Sequence, residues 1–178
     1  AAARDGYLVL VKGGRVRELP GEFFTFALAG PTEKYEPVNA RFAPGLRLVG
    51  YRLEPGTVVR GRDPTVKLVT FWQAEVPLRQ DLRLVVRLVG PDGRVVEDRP
   101  YQAAALWLPT SRWPVGTLIK VEDRFGLKEG PVGVQVWVGQ QAEFGRPIDP
   151  YPVVAPPDGD RFPVSEGRAV TLATLFRG

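Results

Sequence analysis

The strongest strand candidates in the sequence are Thr65–Ala74 (TVKLVTFWQA) and Leu82–Val89 (LRLVVRLV). Both are rich in β-branched and aromatic residues, which fit the pleated surface of a sheet. In the second stretch Arg83 and Arg87 alternate with apolar residues, and this period of two is typical of a strand with one buried face. No segment of the chain carries a long apolar stripe at helical spacing. We therefore predict that these stretches are core strands of an antiparallel sheet.

Further short strands are predicted in the sequence before and after these two stretches. Turn chemistry separates them, for example Gly13-Gly14 and Pro91-Asp92-Gly93. The additional candidates are residues 7–12, 15–19, 23–28, 46–53, 94–98, 117–125, 133–138 and 169–176. We interpret residues 30–44 and 140–168, which are rich in proline and polar residues, as irregular connections.

This pattern predicts an all-β protein, an antiparallel β-sandwich of the immunoglobulin-like or jelly-roll-like kind with extra N-terminal strands. Residues 1–40 are expected to form N-terminal strands or an arm, and residues 41–178 the sandwich domain. No apolar run reaches the length of a membrane-spanning helix.

The composition argues against most enzyme chemistry. The 178 residues include no His and no Cys, which removes the commonest general base, the Ser-His-Asp triad and thiolate nucleophiles. Glu122 and Asp123 are adjacent in a predicted strand, so they point to opposite faces and cannot act as an acid/base pair. We expect a non-catalytic protein.

The charge and the chain start bear on partners and location. The net charge is +4, but Arg residues are spread along solvated strand faces rather than clustered, so we expect no nucleic-acid binding. The excess of Arg over Lys and the single Asn39 suggest a thermophile.

The start Ala1-Ala2-Ala3 is typical of signal-peptidase sites, so we expect an exported, extracytoplasmic chain whose signal peptide has been removed. A trimmed recombinant chain is the alternative.

Four tryptophans divide into two groups by context. Trp72 and Trp137 lie in the middle of predicted strands, and we interpret them as core residues. Trp107 and Trp113 lie in loop-like sequence beside prolines. Together with Arg112 they form the candidate carbohydrate-binding patch, because flat aromatic faces stack on sugar rings.

A calcium site is the one cofactor hypothesis that the sequence raises. Asp158, Asp160 and Glu166 could supply oxygen ligands, although their spacing is not that of an EF-hand loop. The alternative is a simple turn built on Asp158-Gly159. No other cofactor is expected.

Several motifs, taken in order, resemble a known accessory domain. They are residues 42–53 (FAPGLRLVGYRL), 69–74 (VTFWQA), 88–96 (LVGPDGRVV), 109–113 (PTSRW) and 127–139 (LKEGPVGVQVWVG). Residues 41–178 thereby resemble the extracytoplasmic C-terminal β-sandwich domain of bacterial membrane glycosyltransferases of the protein-mannosyltransferase-like class. The resemblance implies a sandwich fold and an envelope location. It implies no transferase activity, because the match includes no membrane region and no catalytic residue.

Two functions follow as hypotheses. The first is a structural or protein-interaction module of the cell envelope, working as a subunit of a surface assembly. In that case the joining strand consists of Tyr7, Leu8, Val9, Leu10 and Val11, which can pair with a neighbouring subunit or within the chain. The alternative is a carbohydrate-binding accessory domain that uses Trp107, Arg112 and Trp113.

Overall fold

The structure, a computed structural model, describes residues 7–11, 15–19, 28–30, 32–56, 64–101, 108–127, 132–140 and 148–175. Within these residues every regular element is a β-strand, apart from a single 3₁₀ turn at Thr110–Arg112. The strands are β1 (Tyr7–Val11), β2 (Arg15–Leu19), β3 (Glu36–Phe42), β4 (Leu46–Pro55), β5 (Thr65–Ala74), β6 (Leu82–Val89), β7 (Val95–Tyr101), β8 (Leu118–Gly126), β9 (Val132–Gln140), β10 (Val153–Ala155), β11 (Val164–Ser165) and β12 (Ala169–Leu175). None of the described segments is a helix long and apolar enough to span a membrane.

Ten of these strands form two five-stranded antiparallel sheets. The first sheet has the order β10-β3-β4-β5-β8, and the second sheet has the order β11-β12-β9-β6-β7. Their inner faces pack against each other around one hydrophobic core. The predicted antiparallel β-sandwich is confirmed, and β5 and β6 begin and end at the predicted residues.

The core takes alternate residues from the central strands of both sheets. Trp72 is 1% exposed and packs against Phe42, with the ring centroids 5.9 Å apart. Its indole Nε1–H donates to Thr70 Oγ1 at 2.8 Å, so the one polar atom of the ring is satisfied inside the core. Each such side chain contributes about 1.5–3 kcal/mol by leaving water. The prediction that Trp72 is a core residue is confirmed.

Strand β3 lies where an irregular connection was predicted. Pro37 and Asn39 give that stretch a loop-like composition, but the structure places them in a bulged strand, with a register shift against β4 between Pro37 and Ala40. A bulge tolerates both residues, since Asn39 has φ 61° there and few other residues adopt that conformation. The predicted boundary between residues 40 and 41 falls inside this strand. Similarly, β10 and β11 lie within the stretch 140–168 that was predicted to be a loop.

The outer face of the first sheet is covered. Val69 and Phe71 point outward from β5, yet both are fully buried. The ring of Tyr35 lies 4.7 Å from that of Phe71, and Arg52 lies over the same ring. Gly50 makes this possible, because a Cβ at that position would overlap the Tyr35 ring.

Ion pairs extend this cover. Glu33 pairs with Lys120 at 2.6 Å and with Arg52 at 3.5 Å, while Lys67 pairs with Glu122 at 2.9 Å. The hydrogen bond from Lys120 holds the pKa of Glu33 below its usual value. The first sheet therefore presents a closed, charged outer surface.

A buried ion pair joins the two sheets at one side of the sandwich. Arg99 on β7 donates through Nε to Oδ2 of Asp123 on β8 at 3.1 Å, and through Nη1 to Glu97 at 2.6 Å. The Asp123 side chain is only 3% exposed. Strands β7 and β8 are the edges of different sheets, so this pair fixes how the sheets align.

The N-terminal strands form the predicted hairpin. Strand β1 pairs with β2 in antiparallel register from Tyr7↔Leu19 to Val11↔Arg15. Leu28 forms an antiparallel bridge with Ile119 at the start of β8. The rest of the predicted strand 23–28 lies outside the described residues.

Candidate functional site

The outer face of the second sheet carries an open groove of about 790 Å³. This volume lies within the range of small-molecule sites, about 300–1,000 Å³. The floor comes from outward-facing positions of β6, β7, β9 and β12, which antiparallel register brings side by side. The lining residues are Val85, Arg87, Val89, Gly93, Val95, Asp98, Pro100, Gln135, Trp137, Ile148, Pro150, Ser165, Glu166, Arg168 and Ala169.

An ion pair crosses the groove floor between β6 and β7. Arg87 and Asp98 are register partners, and Arg87 donates through Nε and Nη2 to the two carboxylate oxygens at 2.7 and 2.9 Å. This hydrogen bonding raises the pKa of Arg87, against the opposing effect of burial. The side chains are 26% and 39% exposed, so the pair is rigid and still reachable from solvent.

Trp137 forms the apolar centre of the groove. It is 6% exposed and packs with Val85 and Ala169, its register partners on the neighbouring strands. The Arg87 guanidinium lies 5.6 Å from the ring centroid, a cation–π distance. The indole Nε1–H is buried and has no hydrogen-bond partner among the described residues. A buried donor without a partner is costly, and such atoms commonly mark a place where water or a ligand binds.

Gln135 supplies an oriented amide beside this ring. Its Nε2 donates to Ser165 Oγ and Thr171 Oγ1, each at 3.1 Å. These two bonds tie β9 to β11 and β12 and fix the rotamer of Gln135. The groove therefore combines an aromatic floor with polar groups whose positions are set before any ligand arrives.

Trp113 does not offer the exposed ring that the predicted tryptophan patch requires. Trp113 was expected to be exposed, but it is 4% exposed and part of the core, where Nε1 donates to the backbone oxygen of Leu108 at 3.0 Å. An enclosed ring offers no face for a sugar. Arg112 is exposed at the end of the 3₁₀ turn, and Trp107 lies outside the described residues.

The predicted calcium ligands are not brought together. Asp158 accepts a hydrogen bond from Asn39 Nδ2 at 2.9 Å, and Gly159 follows it with φ 75°, so this stretch is the turn that was the alternative. Asp160 belongs to the same turn, whereas Glu166 lies in the β11–β12 turn at the rim of the groove. In the part of the chain that the structure describes, no three carboxylates form a cluster that could hold a metal ion.

The sequence did not reveal the groove. Trp137 was interpreted as a core residue, and it is buried, but it belongs to a separate small cluster on the outer face. The sequence did contain a signal for the outward orientation of Trp137. Gln135 and Trp137 alternate with the core valines at 134, 136 and 138, and alternate side chains of a strand point to opposite faces of the sheet. The pairing of Arg87 with Asp98 depends on strand register, which no local pattern contains.

Comparison with solved structures finds a likeness of low identity. No family model matches the chain, and no curated protein matches it. Among solved structures, the chain is similar to the C-terminal domain of wzt, with 10% identity, a TM-score of 0.46, and coverage of 65% of this chain and 72% of that chain. Nothing in these comparisons supports the mannosyltransferase-like resemblance of residues 41–178. The sandwich fold that the resemblance implied is present.

Proposed function

We propose that this chain is a non-catalytic binding module of the cell envelope, and that the groove on the second sheet is its binding surface. The observation that carries the proposal is the contrast between the two outer faces. Tyr35 and an ion-pair network cover the first sheet, whereas the second sheet leaves a groove in which polar side chains, among them Arg87 and Asp98, are partly exposed to solvent. Grooves of this size and composition are typical of binding sites.

A non-catalytic role agrees with the chemistry of the groove. The two oxygens of Asp98 bind Arg87 as a bidentate pair, which suits them to hold a ligand rather than to transfer protons. The whole sequence has no His to act as a general base near neutral pH.

The test uses paired variants and envelope fragments from the source organism. The double variant Arg87→Ala/Asp98→Ala removes the groove pair without changing the net charge. The matched control Arg41→Ala/Glu75→Ala removes a 3.0 Å ion pair from the first sheet. We expect wild type and control to co-sediment with the fragments and the groove variant to stay in solution. Equal sedimentation of all three proteins would refute the role of the groove.

The envelope location is a separate part of the proposal. It rests on the resemblance of residues 41–178 to an extracytoplasmic domain. Fractionation of the source cells, followed by detection with an antibody, checks it. Recovery of the protein in the cytoplasmic fraction alone would refute this location.

A surface assembly joined through β1 is a second candidate. Among the described residues, β1 and β2 pair only with each other, so each strand has one edge that could accept a further strand. We expect light scattering to show defined oligomers that Val9→Pro converts to monomers, because proline removes a backbone donor from the strand. A monomer at every concentration would exclude this assembly.

A further inference from the structure

We infer that the groove binds an uncharged oligosaccharide, held through its hydroxyl groups by the Arg87–Asp98 pair and Gln135. The inference rests on the proposed function, since it names the ligand class of the same groove. Two properties of the lining support it: the balance of charges, and the arrangement of donors and acceptors.

The charges that line the groove balance. Arg87 and Arg168 supply two positive charges, and Asp98 and Glu166 supply two negative charges. The Arg87 cation is already neutralised by the carboxylate at 2.7 Å, and Glu166 adds to the negative field around it. A polyanion would meet two carboxylates and a polycation two guanidinium groups, whereas an uncharged ligand meets no repulsion.

The Arg87–Asp98 pair matches the chemistry of a sugar hydroxyl. A hydroxyl donates one hydrogen bond and accepts others, so it suits a site with donors and acceptors side by side. Guanidinium has five N–H donors and a carboxylate has about four acceptor positions, and the pair uses two of each. The remaining positions sit next to each other on a partly exposed ion pair. Neighbouring hydroxyls of a sugar ring can bind both members at once.

The apolar floor supports the polar groups of the groove and is not itself a stacking face. Trp137 and Val85 are 6% and 1% exposed and belong to a buried cluster that lines the groove, so binding depends on the polar side chains. The volume of about 790 Å³ is near the upper end of small-molecule sites, so several sugar rings fit along the groove.

The experiment is a glycan array carrying neutral oligosaccharides and their carboxylated and sulfated counterparts. We expect wild type to bind neutral glycans, and Arg87→Ala/Asp98→Ala and Gln135→Ala each to weaken binding about 10- to 100-fold. The control Arg41→Ala/Glu75→Ala should bind like wild type. Gln135→Ala serves as the second variant if the double variant fails to fold. Affinity should stay constant between about 0.1 M and 1 M salt, where the Debye length falls from about 10 Å to 3 Å.

Other outcomes overturn the inference in recognisable ways. Preference for sulfated or carboxylated glycans, with affinity that falls as salt rises, would show a polyanion site. If wild type binds no glycan on the array, sedimentation is repeated with envelope fragments treated with periodate, which cleaves vicinal diols, or with protease. Loss of groove-dependent sedimentation after periodate alone supports a glycan missing from the array, whereas loss after protease alone overturns the ligand class and leaves the proposed function standing. Absence of groove-dependent sedimentation in untreated fragments refutes both.

Discussion

Removing the Arg99 guanidinium from the side of the sandwich should destabilise the protein strongly. Arg99 donates to Asp123 through Nε and Nη2 at 3.1 and 3.4 Å, and also to the backbone oxygen of Arg124. The variant Arg99→Met keeps most of the aliphatic stem and removes the charge. It removes the guanidinium that pairs with Asp123, whose side chain is 3% exposed.

The magnitude follows from the burial of Asp123. Breaking a buried pair from one side typically costs about 3–5 kcal/mol, since the remaining charge stays out of water. In a chain of this size each kcal/mol lowers Tm by about 2–4 °C. We therefore expect Arg99→Met to lower Tm by about 6–20 °C near neutral pH. Arg94→Met is the control: its ion pair with Asp92 is 88% and 58% exposed, so the change should stay within about 0.5 kcal/mol.

The stability lost in Arg99→Met should grow as pH rises. Burial raises the pKa of Asp123, and Arg99 opposes that rise, so loss of Arg99 raises the pKa further. Between the unfolded pKa of about 3.9 and the folded pKa, the native variant holds more protons than the unfolded chain, and its stability falls as pH rises. The charge penalty is complete above the folded pKa of Asp123 and absent below the unfolded pKa.

Urea unfolding followed by tryptophan fluorescence measures the free energy of unfolding near neutral pH and near pH 4. Adding Asp123→Asn to the Arg99→Met variant should recover much of the loss at neutral pH, because it removes the stranded charge. A loss that stays the same at both pH values, or that Asp123→Asn does not reduce, would show that packing rather than charge burial is responsible.

Two other sites give smaller expected effects. Tyr51→Phe should cost about 1–2 kcal/mol, because the hydroxyl donates to the Leu172 backbone oxygen at 3.0 Å; chemical denaturation measures the loss, and an unchanged midpoint would contradict it. Burial, and then Glu36, raise the pKa of Tyr51 to about 12, so the native state retains this proton and loses stability between pH of about 10 and 12; a tyrosinate absorbance titration of wild type against Tyr51→Phe checks this. Gly50→Ala should lower stability by about 1–3 kcal/mol, since its Cβ would overlap the Glu36 backbone oxygen. Thermal melts against Gly133→Ala, whose Cβ meets no atom within 3.5 Å, provide the control.

The sequence predicted β5 and β6 well because both are rich in β-branched and aromatic residues. Burial in β6 largely alternates, with Arg83 and Arg87 on the more exposed face, whereas β5 is buried on both faces from Leu68 to Trp72. Strand β3 was missed because Pro37 and Asn39 occur at a bulge, where the ordinary depletion of these residues in strands does not apply. A composition rule cannot distinguish such a bulged strand from a loop.

The candidate site was less predictable, since burial and register are properties of the folded chain. Trp113 lies between prolines in a non-strand segment, yet that segment folds inward and closes over the core. Arg87 and Asp98 are eleven residues apart and meet only through the β6–β7 register. Their types were visible in the sequence, but their partnership was not.

In strand β9, alternate residues face the core and the groove. Its even positions, Val134, Val136 and Val138, are almost fully buried in the core, while Gln135 and Trp137 face the groove. Changes at Arg87 on β6 and at Gln135 on β9 therefore alter the surface of the groove without touching the layer that holds the sheets together. Under the proposed binding function, such a scaffold would let ligand preference diverge while the fold stays constant. A library restricted to positions 87, 98 and 135, none of which is buried, would test this on an unchanged core.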